Sequence, residues 1–277
     1  MYADLTILVN SSDNYEDCWY PYFYLFKKFW PDCPYPIVLN TETKDFQFSG
    51  LNITCSKVGR GANGERLAWS ETVLRCLANI KSDYILWTLE DLFLFAPVDS
   101  ERIAAVFKLM QEQRMSHIHL TPIGEAVGGY KPCPHSGLWE IRQNHRYRIS
   151  LITALWKKER LVSYMRPYEN PWELEIFGSW RARRTQDTFY CISTDAPLDP
   201  KTWPIPYLFS GIVKGKWDRQ APELFRRHSL EMDFERRGFY EPASSLVRRL
   251  QLALKLTGGL WQQFRRNAKN LAGGNCN

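Results

Sequence analysis

Two adjacent carboxylates, Glu90 and Asp91, interrupt an otherwise apolar stretch running from Tyr84 to Phe95. The residues before them, Tyr84-Ile85-Leu86-Trp87, read as a central strand buried on both faces. Charges in that setting are costly unless they meet a partner. An acid pair at the carboxyl end of a buried strand therefore suits the ligand crevice of an open α/β sheet, where carboxylates can meet a hard divalent cation that bridges a diphosphate. The plainer alternative is a strand end followed by an exposed turn.

The surrounding pattern agrees with such a sheet. Leu5–Val9 is the first candidate strand and ends in the polar turn Asn10-Ser11-Ser12-Asp13, followed by an aromatic-rich helix from Tyr15 to Trp30. Ile37–Leu39 and Leu51–Cys55 are the next strands. Val73, Leu74, Leu77 and Ile80 then recur at helical spacing within 67–80, and Ser100 is placed to cap a helix carrying Ile103, Val106, Phe107 and Met110. Short apolar runs alternating with helical patterns predict βαβ units and a mostly parallel sheet. The second half is less regular. It offers a Gly/Pro-rich loop from Gly124 to Gly137, a strand over Arg148–Leu155, a helix over Lys157–Met165, and a helix start at Asn170-Pro171 with Asn as N-cap and Pro in the first position. No internal repeat is present.

Charge divides the chain at Glu241. Of 36 basic and 30 acidic residues, Arg248, Arg249, Lys255, Arg265, Arg266 and Lys269 follow that point and no acid does, so the body is neutral at 30 against 30. A neutral body argues against nucleic-acid binding. The basic tail, with apolar Leu246, Val247, Leu250 and Leu254 and then Leu260, Trp261, Phe264 and Leu271, suits an amphipathic helix pair on an anionic membrane surface. Packing on the body or on a second subunit is the competing reading. Seven cysteines without a C-x-x-C pair read as reduced and structural. Leu5–Val9 is too short for a signal-peptide core, and no apolar run approaches the ~20 residues of a spanning helix. The expected location is cytoplasmic, peripheral on the inner face of the cell membrane.

Several other residues carry chemistry. Lys214 and Lys216 flank Gly215 in an extended segment and could supply positive charge to a departing diphosphate. Gly59-Arg60-Gly61-Ala62-Asn63-Gly64 matches G-x-G-x-x-G, but it follows roughly the third strand rather than the first. Glu65 after Gly64 excludes a P-loop. A loop over the ligand, or a plain surface loop, fits better.

The first strand with its polar turn, the helix and strand from Trp69 to Asp91, and Asn170-Pro171-Trp172-Glu173-Leu174-Glu175 together resemble GT-A-type glycosyltransferases, in particular bacterial enzymes of capsule or lipopolysaccharide assembly. The resemblance spans roughly residues 4 to 240, with Glu90-Asp91 where that family usually shows Asp-x-Asp. It implies a GT-A-like single domain over 1–243, with a Rossmann-like, mostly parallel central sheet flanked by helices. The donor half would be about 1–122, the acceptor half about 123–243, and the amphipathic helical tail 244–277. It implies a nucleotide-sugar donor held by Ser11, Asp13, Glu90 and Asp91, and a manganese or magnesium ion on Asp91 completed by His228. The acceptor would be a hydroxyl of a growing glycan, lipid-linked in one version. An inverting transfer needs a general base near that hydroxyl. The resemblance places it at Glu173 or Glu175; two positions apart on a helix they point about 200° apart, so only one can face the site, and Glu175 is preferred. The rivals are a sugar-phosphate nucleotidyltransferase, which wants a Gly-rich basic loop where Asn10–Asn14 stands, and a non-catalytic membrane-surface glycan-binding module.

Overall fold

The computed structural model describes residues 4–122, 129–194, 196 and 199–242. The expected tail, the start of the loop at Gly124 and Pro197 lie outside the described residues.

Nine strands form one sheet in the order β3-β2-β1-β4-β8-β5-β9-β7-β6. They are β1 (Leu5–Asn10), β2 (Ile37–Leu39), β3 (Ile53–Cys55), β4 (Tyr84–Leu89), β5 (His117–His119), β6 (Tyr130–Pro132), β7 (Leu138–Ile141), β8 (Ala154–Lys157) and β9 (Phe189–Ile192). β3, β2, β1 and β4 are mutually parallel, and β5 is parallel to β9. Only β8 and β7 run against the others. This is the mixed α/β class with a mostly parallel, Rossmann-like central sheet that the alternating pattern predicts. Both halves of the chain contribute to it, because β8 is inserted between β4 and β5.

Helices cover both faces. α1 (Glu16–Phe29) and α3 (Ser100–Glu112) bury Trp19, Phe23, Phe26, Ile103 and Met110 in the same core as Leu5, Ile7 and Val9 of β1. α2 (Trp69–Asn79) and α4 (Lys158–Tyr164) bury Val73, Leu77 and Leu161 on the opposite face with Leu8, Ile85 and Trp87. Alternate residues of β1 and β4 thus enter different cores, which explains why both strands read as continuous apolar runs.

Two sequence expectations need correction. The strand placed over Arg148–Leu155 begins only at Ala154: Ile149 N donates to Ser179 Oγ and Leu151 N to Glu175 Oε1, both at 2.9 Å, instead of to a neighbouring strand, and before them the Arg148 side chain turns inward. Its Nη1 donates to the Ile141 carbonyl (2.7 Å), its Nη2 donates to the Asp187 carbonyl (2.6 Å), and the guanidinium lies 4.4 Å from the Phe189 ring centroid. The cap of α3 is Asp99, whose Oδ1 accepts from Arg102 N at 2.9 Å; Ser100 is already helical and its Oγ accepts from Trp30 Nε1 at 2.7 Å. Asn170, by contrast, is an N-cap as expected, with Pro171 following it. It opens a short α5 (Pro171–Glu173), a π-helical stretch (Leu174–Gly178) and α6 (Ser179–Ala182). The chain continues through a hairpin of β10 (Ile212–Val213) and β11 (Lys216–Trp217) into α7 (Ala221–Arg227).

Candidate active site

β1 and β4 are paired in parallel register, Asn10 beside Leu89, so their carboxyl ends open at one place. A cavity of about 440 Å³ lies there, lined among others by Asn10, Ser11, Tyr15, Glu42, Arg66, Glu90, Asp91, Leu151 and Pro171. That is where open parallel sheets place their ligands. Two sequence-predicted groups meet in it, Ser11 from the first turn and the pair Glu90-Asp91. Ser11 Oγ accepts from Trp19 Nε1 at 2.8 Å.

Glu90 and Asp91 are 7% and 8% exposed. Burial raises the pKa of both; for Glu90 the rise is large and the adjacent Asp91 carboxylate adds to it. Asp91 is partly compensated, since its Oδ2 accepts from Ser210 Oγ (2.9 Å) and Ile212 N (3.2 Å). Burial raises the pKa of the Tyr15 hydroxyl, and the Glu90 charge raises it further. Arg237 stacks 4.5 Å from the Tyr15 ring centroid and pairs with Asp17, tying the C-terminal end of the described chain to the rim.

Glu42 and Arg66 were not anticipated. Glu42 is 5% exposed; its Oε1 accepts from Arg66 Nη2 (3.1 Å) and Nε (3.2 Å), and its Oε2 from Asp13 N (2.5 Å). It stands just past the carboxyl end of β2, so the strand-end logic applied to Glu90 would have found it. Arg66 follows the glycine-rich loop, in which Gly59 and Gly64 hold φ values of +79° and +77°. Its place beside Glu42 bridges 24 residues of sequence, and no local signal shows that.

The other predicted residues lie elsewhere. Asp13 is absent from the cavity lining, its carboxylate being occupied by the 42–44 turn: Oδ1 accepts from Glu42 N (2.9 Å), Oδ2 from Thr43 N (3.0 Å) and Thr43 Oγ1 (2.6 Å). Burial opposes its charge, yet these bonds prevail and its pKa falls below the ordinary value. Lys214 and Lys216 belong to the β10–β11 hairpin, where Lys214 (φ +52°) and Gly215 (φ +79°) form the left-handed two-residue turn. Both lysine side chains are exposed and neither lines the cavity, with Lys214 Nζ lying 5.5 Å from the Tyr240 ring centroid. His228 sits at the end of α7 with Nδ1 2.9 Å from Lys28 Nζ, and it lines a second cavity that does not include Asp91. Among the described residues, no group of three or more His, Cys, Asp or Glu side chains is placed to hold a metal ion.

Glu173 closes a capping box: Asn170 Oδ1 accepts from Glu173 N and Glu173 Oε2 accepts from Asn170 N, both at 2.9 Å. Glu175 projects from the π-helical stretch toward the wall behind the cavity, where its Oε1 accepts from Leu151 N (2.9 Å) and Ser150 Oγ (3.1 Å). Burial raises its pKa. Neither glutamate lines the cavity, whereas Leu151 and Pro171 do.

Fold and site together define an α/β domain with an acidic crevice at the carboxyl ends of its central parallel strands. No family model matches the chain, and no curated protein matches it. Among solved structures, S. aureus TarS 1-349 is similar with a TM-score of 0.46 at 14% identity, over 69% of this chain and 58% of that one. TarS 1-349 in complex with UDP-GlcNAc gives 0.41 at 10% identity over 84% and 69%, and the bifunctional IspDF from Campylobacter jejuni gives 0.37 at 14% over 73% and 55%. The chain thus matches less than two thirds of the length of TarS 1-349 in the first comparison and of IspDF. Likeness at this level transfers no activity. No helix among the described residues is long and apolar enough to cross a membrane.

Proposed function

We propose that the chain is a nucleotide-sugar-dependent glycosyltransferase whose donor diphosphate binds between Arg66 and the Glu90-Asp91 pair. The observation that supports this is the acid pair at the mouth of the β1/β4 crevice, facing a cavity with a guanidinium on its rim. Among the described residues Arg66 is the one Lys or Arg in that lining, and in this reading it is given the role the sequence suggested for Lys214 and Lys216. Ser11 and Asn10 lie where a ribose or base would rest.

Charge decides whether a cation is needed. Glu42, Glu90 and Asp91 against Arg66 leave the lining acidic by two when all are ionised, and a diphosphate adds more negative charge. Hard carboxylate oxygens without a third protein ligand suit magnesium or manganese bound by one or two carboxylates and by substrate phosphates. Glu90 and Asp91 would hold it, and when bound it would neutralise the leaving diphosphate. His228, facing another cavity, has no part in this version.

In the transfer, the acceptor oxygen bonds to the anomeric carbon as the bond from that carbon to the diphosphate oxygen breaks. The hydroxyl proton passes to a carboxylate and the nucleoside diphosphate leaves. Glu175 is proposed as the base on the resemblance: burial raises its pKa in the direction that suits proton uptake, and its carboxylate, held by Leu151 N behind the cavity lining, has to turn past that wall to meet the acceptor hydroxyl. The resemblance extends the proposal to an inverting hexosyl transfer onto a surface glycan of the capsule or lipopolysaccharide kind, at the inner face of the membrane.

The test is thermal denaturation with UDP, GDP, ADP and CMP, each with and without manganese. One nucleotide should stabilise only with the metal, by about 2.7 kcal/mol at a hundredfold excess over Kd, and Asp91→Ala should lose the effect. Stabilisation by none of them, or an unchanged response in Asp91→Ala, refutes the donor site. A metal-free response that grows as pH falls shows instead that protonation of the acids neutralises the site.

A further inference from the structure

The body of the chain is neutral in sum but not in distribution. Residues 141–158 and 176–186 contain no acid, and Arg142, Arg146, Arg148, Arg181, Arg183 and Arg184 fall within them. The fold brings these two stretches together. Gln143 Nε2 donates to the Arg183 and Thr185 carbonyls, both at 2.8 Å, and so holds the backbone on either side of Arg184 beside its own neighbour Arg142. Arg183 Nη2 adds a bond to the His145 carbonyl at 3.4 Å.

Only part of this charge is matched. Arg181 pairs with Glu169 through two bonds, of 2.8 and 2.6 Å, Arg148 is buried, and the nearby Asp187 is taken by Arg160. Arg142, Arg146 and Arg184 are exposed and Arg183 is half-buried, and none of these four meets a carboxylate among the described residues. The excess is felt at His145: burial lowers its pKa, and the charges of Arg183 and Arg148 lower it further. Trp180 stands one turn before Arg184, on the same side of α6 and its closing turn. Its ring is 37% exposed and makes an edge contact with Phe177, 5.3 Å between centroids.

We propose that this surface docks on an anionic phospholipid bilayer, with the arginines meeting lipid phosphates and the Trp180 indole entering the headgroup layer. Arginines without acids beside an exposed indole have the composition of a membrane interface, where Trp sits at headgroup level and each base gains from the negative surface. A soluble polyanion would engage the charges and give the ring no part. The docking does not rest on the glycosyltransferase reading. β8 runs against both β4 and β5, and β9 runs with β5, so β9 has the direction of β4. Thr185, just before β9, therefore lies at the end of the sheet opposite the crevice. A bilayer held there leaves the crevice open to soluble nucleotide.

The experiment uses the full chain and co-sedimentation with vesicles of phosphatidylcholine, alone or mixed with phosphatidylglycerol, and heparin as a soluble polyanion. The mixed vesicles should bind, the neutral ones should not, and binding should weaken as salt rises. Arg142→Gln, Arg146→Gln and Arg184→Gln together remove exposed side chains that make no hydrogen bond among the described residues, so the melting temperature and any nucleotide stabilisation should hold. Vesicle affinity should fall about fivefold per base, roughly 100-fold in all. Lysine at the same three positions should keep the affinity within about threefold, because the bilayer reads charge. Trp180→Ser should weaken vesicle binding and leave heparin binding as it was. Absence of binding to the mixed vesicles, equal binding to neutral ones, or an undiminished affinity in the triple glutamine variant overturns the assignment. So does a triple variant that loses heparin but not vesicles, a lysine variant as weak as the glutamine one, or a Trp180→Ser protein that binds vesicles like wild type.

Discussion

Glu90→Gln should make the folded protein more stable while removing its response to nucleotide and metal. Glu90 is almost fully buried beside Asp91, and both burial and that neighbour raise its pKa well above the ordinary 4.5. Its ionised form therefore opposes folding at neutral pH. The sign follows from linkage: between the unfolded pKa and the higher folded one the folded state binds the extra proton, so stability falls as pH rises through that window. Below about pH 4.5 the carboxyl is neutral in both states and glutamine gains nothing. Above it, the advantage of glutamine grows by at most about 1.4 kcal/mol per pH unit until the folded carboxyl ionises. The cavity leaves part of the charge in contact with water, and replacements that relieve an active site commonly yield about 0.5–2 kcal/mol. For a domain of this size that is a rise in Tm of roughly 1–8 °C at pH 8. Thermal melts of wild type and Glu90→Gln at pH 4, 6 and 8 measure it. Equal or lower stability of the variant at pH 8, or an advantage as large at pH 4, would refute the account.

Arg66→Ala should lower nucleotide affinity roughly 10- to 100-fold, the worth of a charge-assisted hydrogen bond, while the fold persists because Arg66 is half exposed; isothermal titration reads this. Glu175→Ala should cost about 1–3 kcal/mol by leaving Leu151 N and Ser150 Oγ without their acceptor, and transfer should fall with it. Glu175→Gln can keep both bonds, because both donors share the one oxygen, Oε1, that the amide retains. If Glu175→Gln restores stability but not transfer, Glu175 is the base; if it restores both, the residue only supports the wall. The buried pair His117 and His119 predicts acid sensitivity of the opposite sign to Glu90. None of the four ring nitrogens has a hydrogen-bond partner among the described residues, and burial lowers both pKa values, that of His119 to about 3. Stability is then fully present above the unfolded pKa near 6.5 and declines as pH falls below it, by up to about 1.4 kcal/mol per pH unit for each histidine. His119→Leu should flatten the slope of denaturation free energy against pH between 6.5 and 3, and an unchanged slope refutes the assignment.

What the sequence by itself determined is what neighbours along the chain decide. The doubly buried strands β1 and β4, the helices α1 to α3 between and after them, the Asn170-Pro171 helix start and the acid pair at the end of β4 all follow from local pattern, and all are present. Periodicity and capping act within a few residues, so sequence carries them in full. Arg148 marks where this stops. Nothing adjacent shows that its guanidinium bonds carbonyls 7 and 39 residues away, or that the amides of Ile149 and Leu151 are taken by Ser179 and Glu175, which is why the strand expected there starts late. The crevice is tertiary in the same sense. Asp13 looked like a ligand-binding carboxylate until the 42–44 turn occupied it, and the lysines of the β10–β11 hairpin looked like phosphate partners until the turn aimed them at solvent. Glu42 and Arg66 became neighbours of Glu90 only when parallel strands brought their carboxyl ends to one edge. Sequence could place an unpaired charge at a strand end, but which charges share its water-poor surroundings, and so its energy, is decided by contacts between segments far apart in the chain.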